Sequence, residues 1–340
     1  MQKMARQIVL AARPNGTPTL SDFRLEEVPV PVPAQGEVLL AGRYLSIDPY
    51  MRGRMDDRKS YADPTPIGGV MEGGVVSEVV QSYHPDYRVG DHVVSRMGWR
   101  THAVSDGSDL LKLDHRFTPI STALGVLGMP GLTAYSGLLT IGQPKPGETV
   151  VVAAASGPVG SLVGQIARIK GARVVGIAGG STKCRYVEEE LGFDAVVDHR
   201  SPTFAADLEA ACPDGVDVYF ELVGGSVWEA VMPLLNQFAR VPVCGLIAQY
   251  NSNGVTEGPD RLPAVMREIL SRRLLVMGFI VREVAEQRPR FLDDVSAWIK
   301  DGRVRFREDV VEGLENAPQA LIGMLEGRNF GKVVVKIEAP

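Results

Sequence analysis

Two textures of apolar and polar residues divide the chain. From residue 1 to about 125 the apolar runs are short and broken by turn formers: Gln7–Leu10, Glu37–Tyr44, Gly74–Val80, His92–Arg96 and Leu110–Leu113. This spacing predicts an antiparallel β domain. The segments Pro29-Val30-Pro31-Val32-Pro33 and Val89-Gly90-Asp91-His92-Val93 read as loops entering strands, because Pro and Gly-Asp disfavour central pairing.

Near residue 146 β-branched runs begin to alternate with helical spacing, the signature of βαβ units and a parallel sheet. The predicted order is strand Thr149–Ala154, helix Val159–Lys170, strand Arg173–Ala178, helix Thr182–Leu191 and a short strand Ala195–Val197. Helix Thr203–Ala211, strand Val216–Glu221, helix Ser226–Asn236, strands Phe238–Cys244 and Leu274–Val281, and helix Ala285–Lys300 follow. Val333–Ile337 alternates like a strand that returns to the first domain. The expected fold is α/β: a doubly wound Rossmann sheet over 128–301, and a mainly antiparallel β domain from 1–127 and 302–340.

Composition narrows the class. The 340 residues suffice for two cores, and 45% hydrophobic with 23% charged residues describes a globular protein. A net charge of -5 argues against a nucleic-acid partner, since phosphate binding needs a basic surface. Cys184, Cys212 and Cys244 are few, widely spaced and odd in number, which fits reduced thiols. The opening MQKMARQIVLAARPNG reads as neither signal peptide nor anchor, and no segment approaches the ~20 apolar residues that span a bilayer. Cytoplasmic localisation with no membrane partner is the expectation.

The main chemical signal is Ala155-Ser156-Gly157-Pro158-Val159-Gly160, between a predicted strand and a predicted helix. In a dinucleotide-binding unit the small residues permit a tight turn, close backbone approach to a pyrophosphate and close helix-on-strand packing, and the helix N-terminus faces the anion. Ala155, Gly157 and Gly160 hold the three positions; alanine at the first departs from the usual glycine. The bland alternative is a tight turn without ligand. An NAD-selective site carries an acid at the end of the second strand. Here Ala178-Gly179-Gly180-Ser181-Thr182-Lys183 has none before Glu188, so the segment has room for a 2′-phosphate and a cation, with Arg185 nearby. NADPH is the expected cofactor; otherwise Lys183 is an ordinary solvated lysine.

Beyond the glycine turn, several segments match one family: Ser46-Ile47-Asp48-Pro49-Tyr50-Met51-Arg52, Gly128-Met129-Pro130-Gly131-Leu132-Thr133-Ala134-Tyr135 and Gly224-Gly225. Cys244-Gly245-Leu246-Ile247-Ala248-Gln249-Tyr250-Asn251 and Asn329-Phe330-Gly331-Lys332 continue the match. The chain resembles the zinc-independent, NADPH-dependent alkenal/one reductases of the medium-chain dehydrogenase/reductase superfamily over essentially its whole length. The resemblance implies a GroES-like β domain, a homodimer, and metal-free reduction of the carbon-carbon double bond of α,β-unsaturated ketones or aldehydes. Hydride would pass to the β-carbon.

Tyr250 is the implied catalytic residue, because a tyrosine hydroxyl can stabilise enolate charge. Its bland reading is a loop tyrosine among turn formers. The implied cofactor contacts are Gly157, Pro158, Val159 and Gly160 at the pyrophosphate, Gly180, Lys183 and His199 at the adenosine end, and Val223, Cys244, Gly245 and Tyr250 after the later strands. Met129, Thr133, Phe279, Ile280 and Val281, the last three on the sixth strand, are implied beside the nicotinamide, and Asn329 completes the set. Met129, Phe279, Ile280 and Val281 could equally be core, Thr133 a local helix hydrogen bond and Asn329 a turn cap. Tyr50 either lines the substrate pocket or anchors its loop. Two positions depart from the family: His199 replaces a tyrosine, and Leu222 replaces an asparagine before Val-Gly-Gly.

Zinc-dependent members place Cys and His ligands where this chain has Ser46-Ile47-Asp48 and Val70-Met71-Glu72, and the four-cysteine lobe is missing. The five histidines show no ligand spacing, and Ser156 is not in a nucleophile elbow. No metal is expected. The competing readings are an NADPH quinone reductase and, from another class, a non-catalytic NADPH-binding structural protein.

Overall fold

The computed structural model describes residues 3–252 and 259–337. The chain forms two compact units, residues 1–125 with 308–340, and residues 126–307. In the first, β1 (Met4–Leu10) and β2 (Phe23–Pro29) form an antiparallel pair. A larger sheet is built from β3 (Val38–Ser46), β4 (Val75–Ser82), β5 (His92–Ser95), β6 (His102–Ser105) and β7 (Leu111–Lys112).

The remaining unit-1 strands come from the C-terminal part of the chain. In chain order, β8 (Thr149–Val152), β9 (Arg173–Ala178), β10 (Ala195–Asp198), β11 (Val216–Phe220), β12 (Leu235–Val243) and β13 (Leu275–Gly278) belong to the second unit. β14 (Glu308–Glu312) and β15 (Lys332–Lys336) then return to the first, where β15 pairs antiparallel with β3 and parallel with β14. The unit-1 core buries Leu40, Leu45, Met51, Trp99, Leu321 and Val335. Each fully buried side chain of this kind contributes about 1.5–3 kcal/mol.

The second unit is a parallel sheet in the order β10-β9-β8-β11-β12-β13. Counting from its first strand this is 3-2-1-4-5-6, the doubly wound Rossmann order, with the switch point between β8 and β11. β8 is buried at every position because helices cover both faces, so its sequence is an unbroken β-branched run. Helix Pro158–Ile169 starts with Pro at its first turn, where no N–H is needed, and buries Leu162, Val163 and Ile166 against the sheet.

Several elements differ from the sequence expectation. β13 stops at Gly278, so Phe279 and Ile280 lie beyond the strand and Val281 opens a 3-10 turn. The expected helix Ser226–Asn236 ends as an α-helix at Val231, passes through a 3-10 turn containing Pro233, and gives way to β12 at Leu235. The missing proline N–H explains the break. β12 then carries an irregularity: Phe238 has φ 62, and the pairing with β11 jumps from Leu235 to Arg240. Among the described residues no helix is long and apolar enough to cross a membrane.

Candidate active site

Parallel strands deliver their carboxyl ends to one edge, and most of the predicted cofactor residues sit there. After β8 the chain turns through Ala154, which has φ 47, a conformation that side-chain-bearing residues rarely adopt. Ala155 is anchored by donating its N–H to Ile177 O at 2.9 Å. Gly157 then caps helix Pro158–Ile169, and the Gly157 N–H reaches Ala154 O at 2.9 Å.

The two turn glycines have different jobs. A Cβ on Gly160 would lie 2.5 Å from Ala154 O and 2.8 Å from Ala153 O, so helix and strand can approach only without one. A Cβ on Gly157 would meet Ala154 O alone, at 3.2 Å, leaving its other side open. That open side, at the start of a helix, is a cradle for an anionic pyrophosphate. Among the described residues, the turn therefore fits the dinucleotide group by shape as well as by charge.

After β9 the chain passes through Gly179 and Gly180, the latter at φ 89, into helix Ser181–Arg185, which carries Lys183. Asp198, at the end of β10, accepts N–H bonds from Gly180 and Arg200 on Oδ1, both at 2.9 Å. Those amide bonds hold its carboxyl below the usual range. His199 and Arg200 press on the same turn: a Cβ on Gly179 would lie 2.7 Å from His199 Nε2 and 3.1 Å from Arg200 Nε. Partial burial, and then the charge of Arg200, lower the His199 pKa. His199 and Arg200 thus flank a turn without side chains, with Lys183 in the helix that follows, a setting that suits a 2′-phosphate. Arg200 escaped the sequence reading, although it directly follows His199; only β10 lying beside β9 brings it to Gly179.

Val223, Cys244, Gly245 and Tyr250 meet at the ends of β11 and β12. Leu222 O and Val223 O accept the N–H groups of Ile247 (3.3 Å) and Ala248 (3.0 Å), which clips the two loops together. Tyr250 follows the 3-10 turn Ile247–Gln249 and is half-buried; its hydroxyl lies 3.4 Å from Leu246 N. Burial, and then the Glu221 charge, push the Cys244 thiol up to about 12, so it is a neutral thiol rather than a nucleophile.

The apolar candidates divide. Thr133 Oγ1 donates to Met129 O at 2.8 Å within helix Met129–Ser136, the local bond that the sequence left open. The Phe279 ring packs on Gly137 together with Phe220: a Cβ there would lie 2.5 Å from Phe279 Cζ. Ile280 and Val281 are partly buried, beyond the strand expected to carry them.

Tyr50 and Asn329 lie in the other unit. Burial, and then the charges of Asp48 and Glu72, push the Tyr50 hydroxyl well above its usual range. Asn329 Nδ2 donates to Gly331 O at 2.9 Å, the local turn contact. Next to each, Lys332 Nζ reaches Asp48 Oδ1 and Ile47 O, both at 2.7 Å, while Ser46 Oγ donates to Asp48 Oδ2. Asp48 and Lys332 thus form a buried ion pair. Among the described residues, no group of three or more His, Cys, Asp or Glu side chains could hold a metal ion.

Residues 6–113 match the N-terminal domain of oxidoreductase, and residues 158–297 match a model described as zinc-binding dehydrogenase. The chain is 54% identical over 334 residues to the NADPH-dependent curcumin reductase of Escherichia coli (strain K12), covering 98% of this chain and 96% of that one. The chain belongs to the zinc-independent alkenal/one reductase branch of the medium-chain dehydrogenase/reductase superfamily. Within that branch it is also 43% identical to prostaglandin reductase 1 of Rattus norvegicus, over 94% of this chain and 95% of the other. A solved structure of CurA in complex with NADPH from Vibrio vulnificus superposes with a TM-score of 0.96 at 52% identity, covering 98% of this chain and all of the other.

Proposed function

We propose that the protein is an NADPH-dependent reductase of the carbon-carbon double bond of α,β-unsaturated ketones and aldehydes. The observation that carries this reading is the convergence, at one edge of the Rossmann sheet, of the open glycine turn with the loop bearing Tyr250. When bound, NADPH supplies a hydride to the substrate β-carbon. The chain's own task is then to hold the carbonyl oxygen and stabilise the negative charge that develops on it. Tyr250 donates its hydroxyl proton in a hydrogen bond to that oxygen, worth ~2.7–4 kcal/mol where such donors have been removed from other enzymes.

Gly157, Pro158, Val159 and Gly160 are assigned to the pyrophosphate. Gly180, Lys183 and His199 take the adenosine end, with Arg200 as a further cation. Val223, Cys244 and Gly245, with Met129, Thr133, Phe279, Ile280 and Val281, are assigned to the nicotinamide end, and Asn329 completes the cofactor set. Tyr50 is assigned to the substrate.

A homodimer is proposed from the edge strand β13. Leu275, Val276 and Met277 there are exposed, and Leu262, Met266 and Leu270 line one face of helix Leu262–Arg272 at 62%, 55% and 79% exposure. An uncovered apolar edge of this kind favours pairing with a second copy. Cytoplasmic localisation is supported by the three free cysteines.

The experiment follows loss of reduced nicotinamide when the purified protein meets enones, quinones and saturated alkanals. Turnover is expected with enones at a kcat/KM at least tenfold above that for quinones. Turnover with quinones alone, or with none of the panel, contradicts the proposal.

A further inference from the structure

Glu221 is a carboxyl group buried to 1% exposure at the end of the central strand β11. One carboxylate oxygen, Oε1, accepts the N–H of Val223 at 2.6 Å and of Gly224 at 2.9 Å. The neighbouring Tyr219 hydroxyl also interacts with the carboxyl. Burial raises the Glu221 carboxyl pKa above its ordinary value, and the backbone amides and the Tyr219 hydroxyl only partly oppose this. A buried acid at this position costs stability that an apolar residue would not.

Its main-chain atoms bind the second loop. Glu221 O accepts the N–H groups of Cys244 at 3.0 Å and Gly245 at 3.3 Å, and Glu221 N donates to Pro242 O at 3.0 Å. The next two carbonyls, Leu222 O and Val223 O, hold the turn that leads into Tyr250. On the facing side, a Cβ at Gly245 would lie 3.3 Å from the Tyr250 hydroxyl and 3.5 Å from Leu222 O. The side chain of Glu221 therefore fixes the peptide planes of residues 222–224, and those planes hold the turn that carries Tyr250.

We infer that Glu221 is a positioning residue for reduction: it sets the Val223–Gly224 turn and, through it, the place of the Tyr250 hydroxyl. It does not touch the reacting atoms and transfers no proton. The inference rests on Tyr250 being the donor to the substrate oxygen, so its test must separate the two ideas.

A double-mutant cycle on the full chain does this. Glu221→Met keeps the volume and removes both acceptor oxygens; Glu221→Gln keeps one acceptor oxygen; each is also combined with Tyr250→Phe. The readouts are kcat and KM with an enone, and NADPH affinity from nicotinamide fluorescence. Glu221→Met is expected to lower kcat at least tenfold with a smaller loss of NADPH affinity, since Val223 shares the turn, and Glu221→Gln to recover most of the loss in kcat. Added to Tyr250→Phe, Glu221→Met should cost less than threefold more, because the two act through one group.

If Tyr250→Phe is impaired but Glu221→Met is not, or if their losses multiply, the Glu221 inference fails and the Tyr250 role stands. Should Tyr250→Phe turn over like the parent, the Tyr250 role fails and takes the inference with it. If Glu221→Met does not fold, Glu221→Asp, whose carboxyl is withdrawn by one methylene, is expected to lose about fivefold in kcat at unchanged NADPH affinity. An unchanged kcat in that variant overturns the inference.

Discussion

Arg200 reaches the Gly179–Gly180 turn from beyond the end of β10, and Lys183 follows the turn in helix Ser181–Arg185. Cations beside this turn suit a phosphate monoester, whereas an NAD site would carry an acid at the end of its second strand, where β9 ends in Ala178 and Gly179 follows. A hydrogen bond to a charged group contributes about 1.5–3 kcal/mol, so removing either cation should weaken NADPH by roughly ten- to hundredfold. Lys183→Ala and Arg200→Ala are therefore expected to raise the Kd for NADPH over that range and to leave NADH within twofold, measured by fluorescence titration. Parallel losses for both cofactors would show that neither residue reads the 2′-phosphate. His199, lowered in pKa by burial and by Arg200, adds shape more than charge near neutral pH.

Among the elements, the β8 turn and helix Pro158–Ile169 separate fold from function. Gly160→Ala forces a methyl group against two carbonyl oxygens and should cost about 1–3 kcal/mol of stability, read as a fall in Tm with a matching fall in denaturant midpoint. Gly157→Ala places a methyl 3.2 Å from Ala154 O with no other neighbour within 4 Å; its expected effect is a tenfold or larger loss of NADPH affinity with a smaller change in Tm than Gly160→Ala. The reverse pattern would mean that the open side of Gly157 is not where the anion binds.

This unit was largely legible in the sequence because parallel strands buried on both faces read as β-branched runs and the glycine turn punctuates them. Elements with little burial were not. β2 carries Arg24, Glu26 and Glu27 in a two-stranded sheet, and helix Leu262–Arg272 packs Val265 and Ile269 against the core only partly buried, so neither displays a strong core-facing pattern. The site was legible only where a motif is local. Lys183 sits in its own motif, but Arg200 and Glu221 gain their places from strand neighbours distant in sequence, which periodicity cannot reveal. β13 was expected to include Phe279 and Ile280 because the apolar run continues past Gly278, and apolar character alone does not mark where pairing stops.

At the scale of the whole molecule, the β13 edge and the Leu262, Met266 and Leu270 face concentrate exposed apolar residues. A second copy pairing there would cover both. Val276→Glu together with Leu270→Glu should convert a dimer to a monomer in multi-angle light scattering, while the variant still binds NADPH. A parent protein that is monomeric at micromolar concentration would remove the dimer.

Fold and chemistry join at one point, the position on the substrate that receives the hydride. A Rossmann sheet of this order serves many oxidoreductases, so the central claim is most directly tested by tracing the hydride. With NADPH carrying deuterium at the transferable C4 position and a simple enone, we predict a saturated ketone with deuterium on the β-carbon, seen by NMR. Deuterium on the carbinol carbon of an allylic alcohol would mean that the carbonyl is reduced instead, and would contradict the assignment.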